Sequence, residues 1–329
     1  MKLPKHSDLI IFLLIVYGLV AGVSESIAMT FSAQLSSGYR QDELDWNIAG
    51  SFSGTGPDIL SELQWKDLSS YQVGVGAEMT WPVRRNMEIV LLGDLSYGFI
   101  YSGDNQDSDY AGDNRTLEWS RSNNDASDGH LLDLLGGGGV RFKVHDKFSL
   151  TPLVGYSYYE QDLVMQDGLQ TLSDQSIADN FFPPGEAPLL SSVGTTFPDL
   201  DSSYYAWWFG GWLGGEVRYR LNEKVAGDLT LRWHHFDFRA EADWNLRPDL
   251  QHPVSFEHEA DGNGISMDLG LRYFISKKWD VMTRFRYIDM KADDGLDIVY
   301  FSDNTVGGTR LNQVNWESWA LSLTARYLF

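Results

Sequence analysis

Trp319-Ala320-Leu321-Ser322-Leu323-Thr324-Ala325-Arg326-Tyr327-Leu328-Phe329 is the stretch that decides the fold. Trp319, Leu321, Leu323, Ala325, Tyr327 and Phe329 fall on one face of a strand, and Ala320, Ser322, Thr324, Arg326 and Leu328 on the other. Successive side chains of a strand point to opposite sides of the sheet, so one face is apolar and the other mostly polar. An apolar face with aromatics at both ends is what a strand needs if it faces lipid between two headgroup girdles.

The start of the chain fits the same setting. Met1-Lys2-Leu3-Pro4-Lys5-His6 is basic, Leu9 to Val23 is apolar, and Ser26-Ile27-Ala28 ends the run with small residues at its first and last positions. This is the grammar of a secretory signal peptide of residues 1–28, cut after Ala28, with one domain over 29–329; an uncleaved N-terminal anchor is the alternative, since Asp8 and Tyr17 are unusual in such a segment. The terminal strand closed by Phe329 is similar to the signal read by the outer-membrane barrel-assembly machinery, the first expected partner.

Between these ends the alternation recurs. Met87, Ile89, Leu91, Leu95, Tyr97 and Phe99 oppose Glu88, Asp94 and Ser96, and Trp279, Val281, Thr283, Phe285 and Tyr287 oppose Asp280, Arg284 and Arg286. Four short polar turns, 83–86, 144–147, 221–224 and 275–278, separate such runs, and five long polar stretches lie between them, near 41–60, 102–128, 165–201, 241–261 and 290–312. With strands near 29–40 and 313–329 at the ends, the pattern predicts an all-β chain. It is a transmembrane antiparallel up-and-down β-barrel of about ten strands with long external loops. A soluble sandwich could alternate in the same way, and the export signals favour the barrel.

Composition narrows the function. A net charge of −21 repels phosphate backbones, so no nucleic-acid partner is expected. With no cysteine there is no disulfide, thiolate metal site or cysteine nucleophile. The acids crowd into Asp104–Asp113 and Asp289–Asp297, which read as solvated loops. Glu78, Glu88, Asp94, Asp133, Arg141, Glu216, Arg218, Arg220, Arg232, Asp268, Arg272, Arg284 and Arg286 are predicted to point inward as a mixed-charge lumen. About ten strands so lined leave little open bore, which disfavours a general porin.

Ser61-Glu62-Leu63-Gln64-Trp65-Lys66 before a strand, then a short turn, a strand and Ser102-Gly103-Asp104-Asn105-Gln106-Asp107-Ser108-Asp109-Tyr110 resemble the omptins, ten-stranded outer-membrane endopeptidases. The local match covers residues 61–110, and the strand plan agrees over nearly the whole mature chain. The resemblance implies that Asp107 and Asp109 are one half of a catalytic site, with an Asp-Glu-His motif on the loop after the seventh strand as the other half and water between them. A two-residue spacing on extended backbone places both carboxylates on one face. Crowding could lift one pKa toward neutrality.

The second half departs from the family. The segment Ala240-Glu241-Ala242-Asp243-Trp244-Asn245-Leu246-Arg247-Pro248 has no Asp-x-His, and Asn245 and Arg247 fall where the aspartate and histidine belong. Asn is no general base at neutral pH, and Arg stays protonated. His252 and His258, later in the same polar stretch, are the remaining weak candidates for a displaced base, with Asp249 or Glu257 as orienting partner. His234 and His235 sit in a strand where one must face inward, and a lumen hydrogen bond is the expectation for it. Asp104, Asp107, Asp109 and Asp113 lack the regular spacing of a calcium loop, and Gly136–Gly139 lies within a predicted strand, where close packing explains it better than phosphate binding.

These readings lead to an omptin-like outer-membrane barrel that is non-proteolytic, with a surface-loop binding or envelope structural role. The rival is an endopeptidase using Asp107 and Asp109 with a displaced histidine, and a third reading is a narrow selective channel. No cofactor or metal is expected. Outer-membrane lipid, including the lipopolysaccharide that omptins bind, is the expected neighbour of the wall. The stretch 165–201, with Phe181-Phe182-Pro183-Pro184-Gly185, could form a lid, meet a partner or pack on itself.

Overall fold

The computed structural model describes residues 29–329, so the signal-peptide expectation lies outside the described residues. The strands are β1 (Thr30–Ile48), β2 (Ser61–Arg84), β3 (Met87–Gly112), β4 (Thr116–Asp125), β5 (Gly129–His145), β6 (Phe148–Ser173), β7 (Thr196–Arg220), β8 (Val225–Asp243), β9 (Phe256–Phe274), β10 (Trp279–Tyr300) and β11 (Val306–Leu328). One helix, α1 (Gln175–Phe181), lies between β6 and β7. Every pairing is antiparallel, and β1 bonds to both β2 and β11, which closes the ring.

Eleven segments make ten barrel positions, because β4 and β5 share one place between β3 and β6. Their shared strand is interrupted at 126–128, where the Asp125 carboxylate accepts the amide and hydroxyl of Ser127. Gly129 restarts it at a φ of +109°, with its α-carbon so close to the Asp162 carbonyl that a side chain would collide.

The lower part of each strand behaves as the alternation predicts. Leu35, Val75, Leu95, Val154, Leu213, Leu231, Leu269 and Leu323 are exposed on the outside, with Tyr71, Tyr219, Tyr273, Trp279 and Trp319 at the edges of the belt. Inside are ion pairs: Arg141 with Glu78 and Glu216, Arg218 with Glu216 and Asp228, Arg232 and Arg286 with Asp268, and Arg272 with Asp228 and Asp280. Asp280 and Arg326, read on the polar faces of their strands, belong to this network too, as do Arg40 and Asp42, which the sequence reading did not name. The cavity they leave is about 90 Å³, room for a few waters. Gly137 and Gly155 lie flat beneath the Trp212 ring, so the glycine run serves packing, as expected.

The five stretches read as long polar loops are a correction. Strand pairing runs through most of them, and the true connections are 49–60, 113–115, 174–195, 244–255 and 301–305. Residues 104–112 belong to β3 and 289–297 to β10, so neither acid run is a solvated loop. Above the lipid-facing belt the alternation persists with its sense reversed. In β10, Tyr287 is followed on the outer face by Asp289, Lys291 and Asp293, while Ile288, Met290 and Ala292 continue the inner face above Arg284 and Arg286. β8 does the same, with Phe236, Phe238, Ala240 and Ala242 inside and Asp237, Arg239 and Glu241 outside. Leu44, Trp46, Leu63, Trp65, Tyr204, Trp208 and Trp316 join them in one packed, largely apolar core inside the barrel above the belt, a region called the crown below.

The segment after β6 packs on its own side of this crown. Asp174 caps α1 by accepting the Ile177 amide, and Phe182 meets Trp119 of β4 edge-on at 5.7 Å. The stretch packs on itself, with Gln175 bonded to the Pro188 carbonyl and the Leu190 amide, and also on the barrel through Trp119, a contact the sequence reading did not consider.

Candidate functional site

Asp107 and Asp109 stand near the upper end of β3. Asp107 pairs in register with Leu63 and Asp109 with Ser61, and Leu63 is buried in the crown core, so both carboxylates are on the inner face at the barrel mouth. Both are half-buried. Burial and the neighbouring Asp109 charge push the Asp107 carboxyl well above the usual carboxylate range. Burial also lifts Asp109, to about 6, against a hydrogen bond donated by Ser61. Both carboxyl pKa values are therefore raised, the direction expected from crowding of like charges.

The opposite charge that acts on both is a guanidinium. Arg247 lies within electrostatic reach of both carboxylates and opposes their upward shift. Its closest partner is Asp249, held bidentately at 2.9 and 2.7 Å, a pairing that raises the arginine's own pKa. The 244–255 connection is pinned on both sides of Arg247. The Asn245 side chain accepts the Asp201 amide and Ser202 hydroxyl and donates to the Asp199 carbonyl, while Leu250 bridges to Phe301. Asn245 is thus a loop fastener and takes no part in the mouth.

Neither candidate histidine reaches the carboxylates as a base. Ala242 points into the core, so Asp243 is on the outer face, and it takes His252 with it through a 2.6 Å contact to Nδ1. His258 was placed in a loop by the sequence reading, but it lies in β9, is 1% exposed, and sits in the crown core against Trp46, Tyr204 and Phe256. The physical reason is the reversed alternation: an isolated polar residue on an inward, apolar face looks like loop when its neighbours Glu257 and Glu259 are charged. Their proposed partners also differ from expectation, since Asp249 serves Arg247 and Glu257 accepts from Tyr300. His234 meets its expectation, with Nδ1 and Nε2 at 3.2 and 2.9 Å from the Ser157 and Ser266 hydroxyls in the lumen.

The four acids weighed for calcium point apart. Asp104 is exposed, Asp107 and Asp109 face the mouth, and Asp113 accepts the Asp58 amide in a brace between two crown connections. Sequence reasoning missed Ser61 as a donor to Asp109 and Asp297 as a neighbour of His258. Ser61 was quoted in the family match but given no role. Asp297 is hidden by a register shift between Asp293 and Leu296 that moves it to the inner face.

Charge is divided as sharply as polarity. Residues 41–69, 102–130, 160–204, 237–263 and 289–317 hold 34 acids against 7 Lys and Arg, net −27, whereas the rest of 29–329 holds 10 against 16, net +6. Most crown cations are already paired, as in Arg115–Glu62, Arg121–Glu118, Arg247–Asp249 and Arg310–Asp294. On the outer wall, where crown meets belt, His130 stacks on Tyr97 and lies 3.2 Å from Asp162, while Tyr158 and Tyr205 donate to Glu160.

Comparison with known proteins supports this frame. A family model described as Protochlamydia outer membrane protein matches residues 34–329. No curated protein sequence matches the chain. Among solved structures, the outer membrane protease OmpT from Escherichia coli covers 93% of this chain and 100% of its own at 14% identity, with a TM-score of 0.70. A Pseudomonas aeruginosa FadL homologue covers 91% and 90% at 11% identity, with a TM-score of 0.30. The likeness to OmpT is one of fold: an omptin-like barrel of the bacterial outer membrane.

Proposed function

The chain belongs to the Protochlamydia outer membrane protein family, and from that premise we propose that this omptin-like barrel is a non-proteolytic binding protein of the cell surface. The observation that carries the reading is the guanidinium of Arg247 opposite Asp107 and Asp109, where hydrolysis needs a base. Arginine cannot take a proton from water at any physiological pH. Its charge favours the ionised form of the carboxylates and opposes their use as acids.

A crown of net −27 attracts cationic partners and repels anionic ones, so the ligand class is a positively charged peptide or protein segment. The apolar belt and its Tyr and Trp edges suit outer-membrane lipid, with lipopolysaccharide as the proposed neighbour of the wall. The strand ending at Phe329 is the proposed handle for the barrel-assembly machinery.

The test is cleavage of a fluorogenic peptide library by protein refolded with lipopolysaccharide and shown to be folded by heat-modifiable electrophoretic mobility. The parent is compared with Asp107→Asn/Asp109→Asn and His252→Ala variants. The proposal expects no turnover above an empty-detergent control, together with salt-sensitive binding of cationic peptides. Turnover that disappears in the Asp107→Asn/Asp109→Asn variant would establish a protease and overturn it.

A further inference from the structure

The crown core is mostly apolar, and the buried polar groups within it include the Gln161–Trp208 and Asn105–Asn124 hydrogen bonds and one histidine–carboxylate pair. His258 of β9 and Asp297 of β10 are directly opposite in register, and both are inside, with side chains 0% and 3% exposed. His258 Nε2 lies 3.3 Å from Asp297 Oδ1, and Nδ1 lies 2.9 Å from the Tyr204 hydroxyl of β7. Burial and the Asp297 charge hold the Tyr204 phenol well above its usual pKa, so it keeps its proton. Trp46 of β1 and Phe256 complete the cage. His258 Nε2 and Asp297 Oδ2 have no hydrogen-bond partner.

A carboxylate in such a core is costly unless a cation neutralises it. Beside them in register are Ala240 of β8, which is apolar, and Thr309 of β11, whose hydroxyl is used on the Ala49 carbonyl. Glu257 and Glu259 flank His258 in the chain and face outward. Among the described residues, Tyr204 and Asp297 are therefore the titratable groups facing His258, and His258 is the cation available to Asp297.

The pair is also mechanically connected to the mouth. Just beyond Asp297, Tyr300 bonds through its carbonyl to the Gln251 amide and through its amide to the Ser255 carbonyl, and Ser302 donates to the Asp249 carbonyl. Just before His258, Ser255 donates its amide to the Ala242 carbonyl and its hydroxyl to the Gln251 carbonyl. These bonds anchor the connection that carries Arg247.

We propose that His258 and Asp297 form a proton-dependent latch that sets how firmly the 244–255 connection, and with it Arg247, is held over Asp107 and Asp109. With His258 protonated, the pair is neutral as a whole and β9 and β10 are drawn together beneath the connection. With His258 neutral, Asp297 is left as an uncompensated buried charge and the anchor loosens. Acidification therefore tightens the mouth and a rise in pH releases it. The sign follows from charge: a proton on His258 supplies the cation that the buried Asp297 carboxylate otherwise lacks. The consequence for ligand binding rests on the surface-binding reading above, whereas the latch does not.

The test is amide hydrogen exchange of full-length refolded protein without ligand from pH 5 to 8, corrected for intrinsic exchange. In the parent, protection of residues 249–258 should fall with rising pH, by up to about tenfold per pH unit for one linked proton. Asp297→Asn and His258→Gln should abolish the pH dependence, and Tyr204→Phe, which preserves volume, should retain it. Each variant is first shown to be folded by heat-modifiable mobility. A parent whose protection is independent of pH, or a slope unchanged in Asp297→Asn, would overturn the latch. Peptide turnover would instead contradict the binding reading and leave the latch untouched.

Discussion

Below Tyr287, β10 points apolar side chains out and Arg284 and Arg286 in; above it, the same two faces carry Asp289, Lys291 and Asp293 outside and Ile288, Met290 and Ala292 inside. Nothing in the backbone changes at that boundary, since pairing with β9 and β11 continues through it. What changes is the solvent. Against lipid tails an apolar wall is required and charge must be paired within; against water the ordinary rule for soluble β-proteins returns. The two halves close the barrel by opposite means, the lower with ion pairs and the upper with packed aromatics.

The largest contrast should come from the two interiors. Trp316 is buried in the crown against Tyr159 and Trp208 and donates Nε1 to Asp42. Trp316→Ala is expected to cost about 3–5 kcal/mol in urea unfolding, from lost packing and a cavity. In the lower half, Asp268→Asn leaves Arg232 and Arg286 without their shared carboxylate, a loss of about 3–5 kcal/mol. Adding Arg232→Met to Asp268→Asn should recover part of that loss, whereas no second substitution of this kind rescues Trp316→Ala. Equal behaviour of the two would erase the distinction between the interiors.

The outer faces give the next contrast. Leu269→Arg, in the middle of the belt, should cost about 2–4 kcal/mol, while Asp261→Arg, on the same face of β9 but in the crown, should fall within about 0.5 kcal/mol. The pair of substitutions locates the lipid boundary, and a costly Asp261→Arg would move it upward.

These two faces also explain what the sequence made legible. The belt strands could be read because polar-in, apolar-out alternation is the sense a barrel seeker looks for, as in Trp279–Tyr287 and Trp319–Phe329. The crown was read as loop because Asp289, Lys291 and Asp293 look solvated, although Ile288, Met290 and Ala292 between them keep the strand period. At the site, Asp107 and Asp109 could be found from their spacing, and Arg247 from its place in the family pattern. His258 could not be placed, because burial of a lone histidine depends on partners from β1, β7 and β10 that are far away in the chain.

A smaller effect should come from the mouth. Asp109 titrates at about 6 in the folded chain, above the ordinary aspartate value of about 3.9. A raised folded-state pKa gives stability that is complete below about 4 and lost as pH rises through about 6. Asp109→Asn should remove that dependence, so that between those limits the parent loses about 1–3 kcal/mol relative to the variant in urea melts. The smallest effect is Arg247→Gln: its partner Asp249 is half-exposed to water, and unfolding stability should change by less than about 1 kcal/mol.

We propose that, among the described residues, ion pairs below and a packed core above leave no open path through the barrel. Single-channel recording of the refolded protein in planar bilayers tests it most directly. The account predicts a quiet membrane after insertion is verified. Steady, reproducible conductance steps from the folded parent would contradict it.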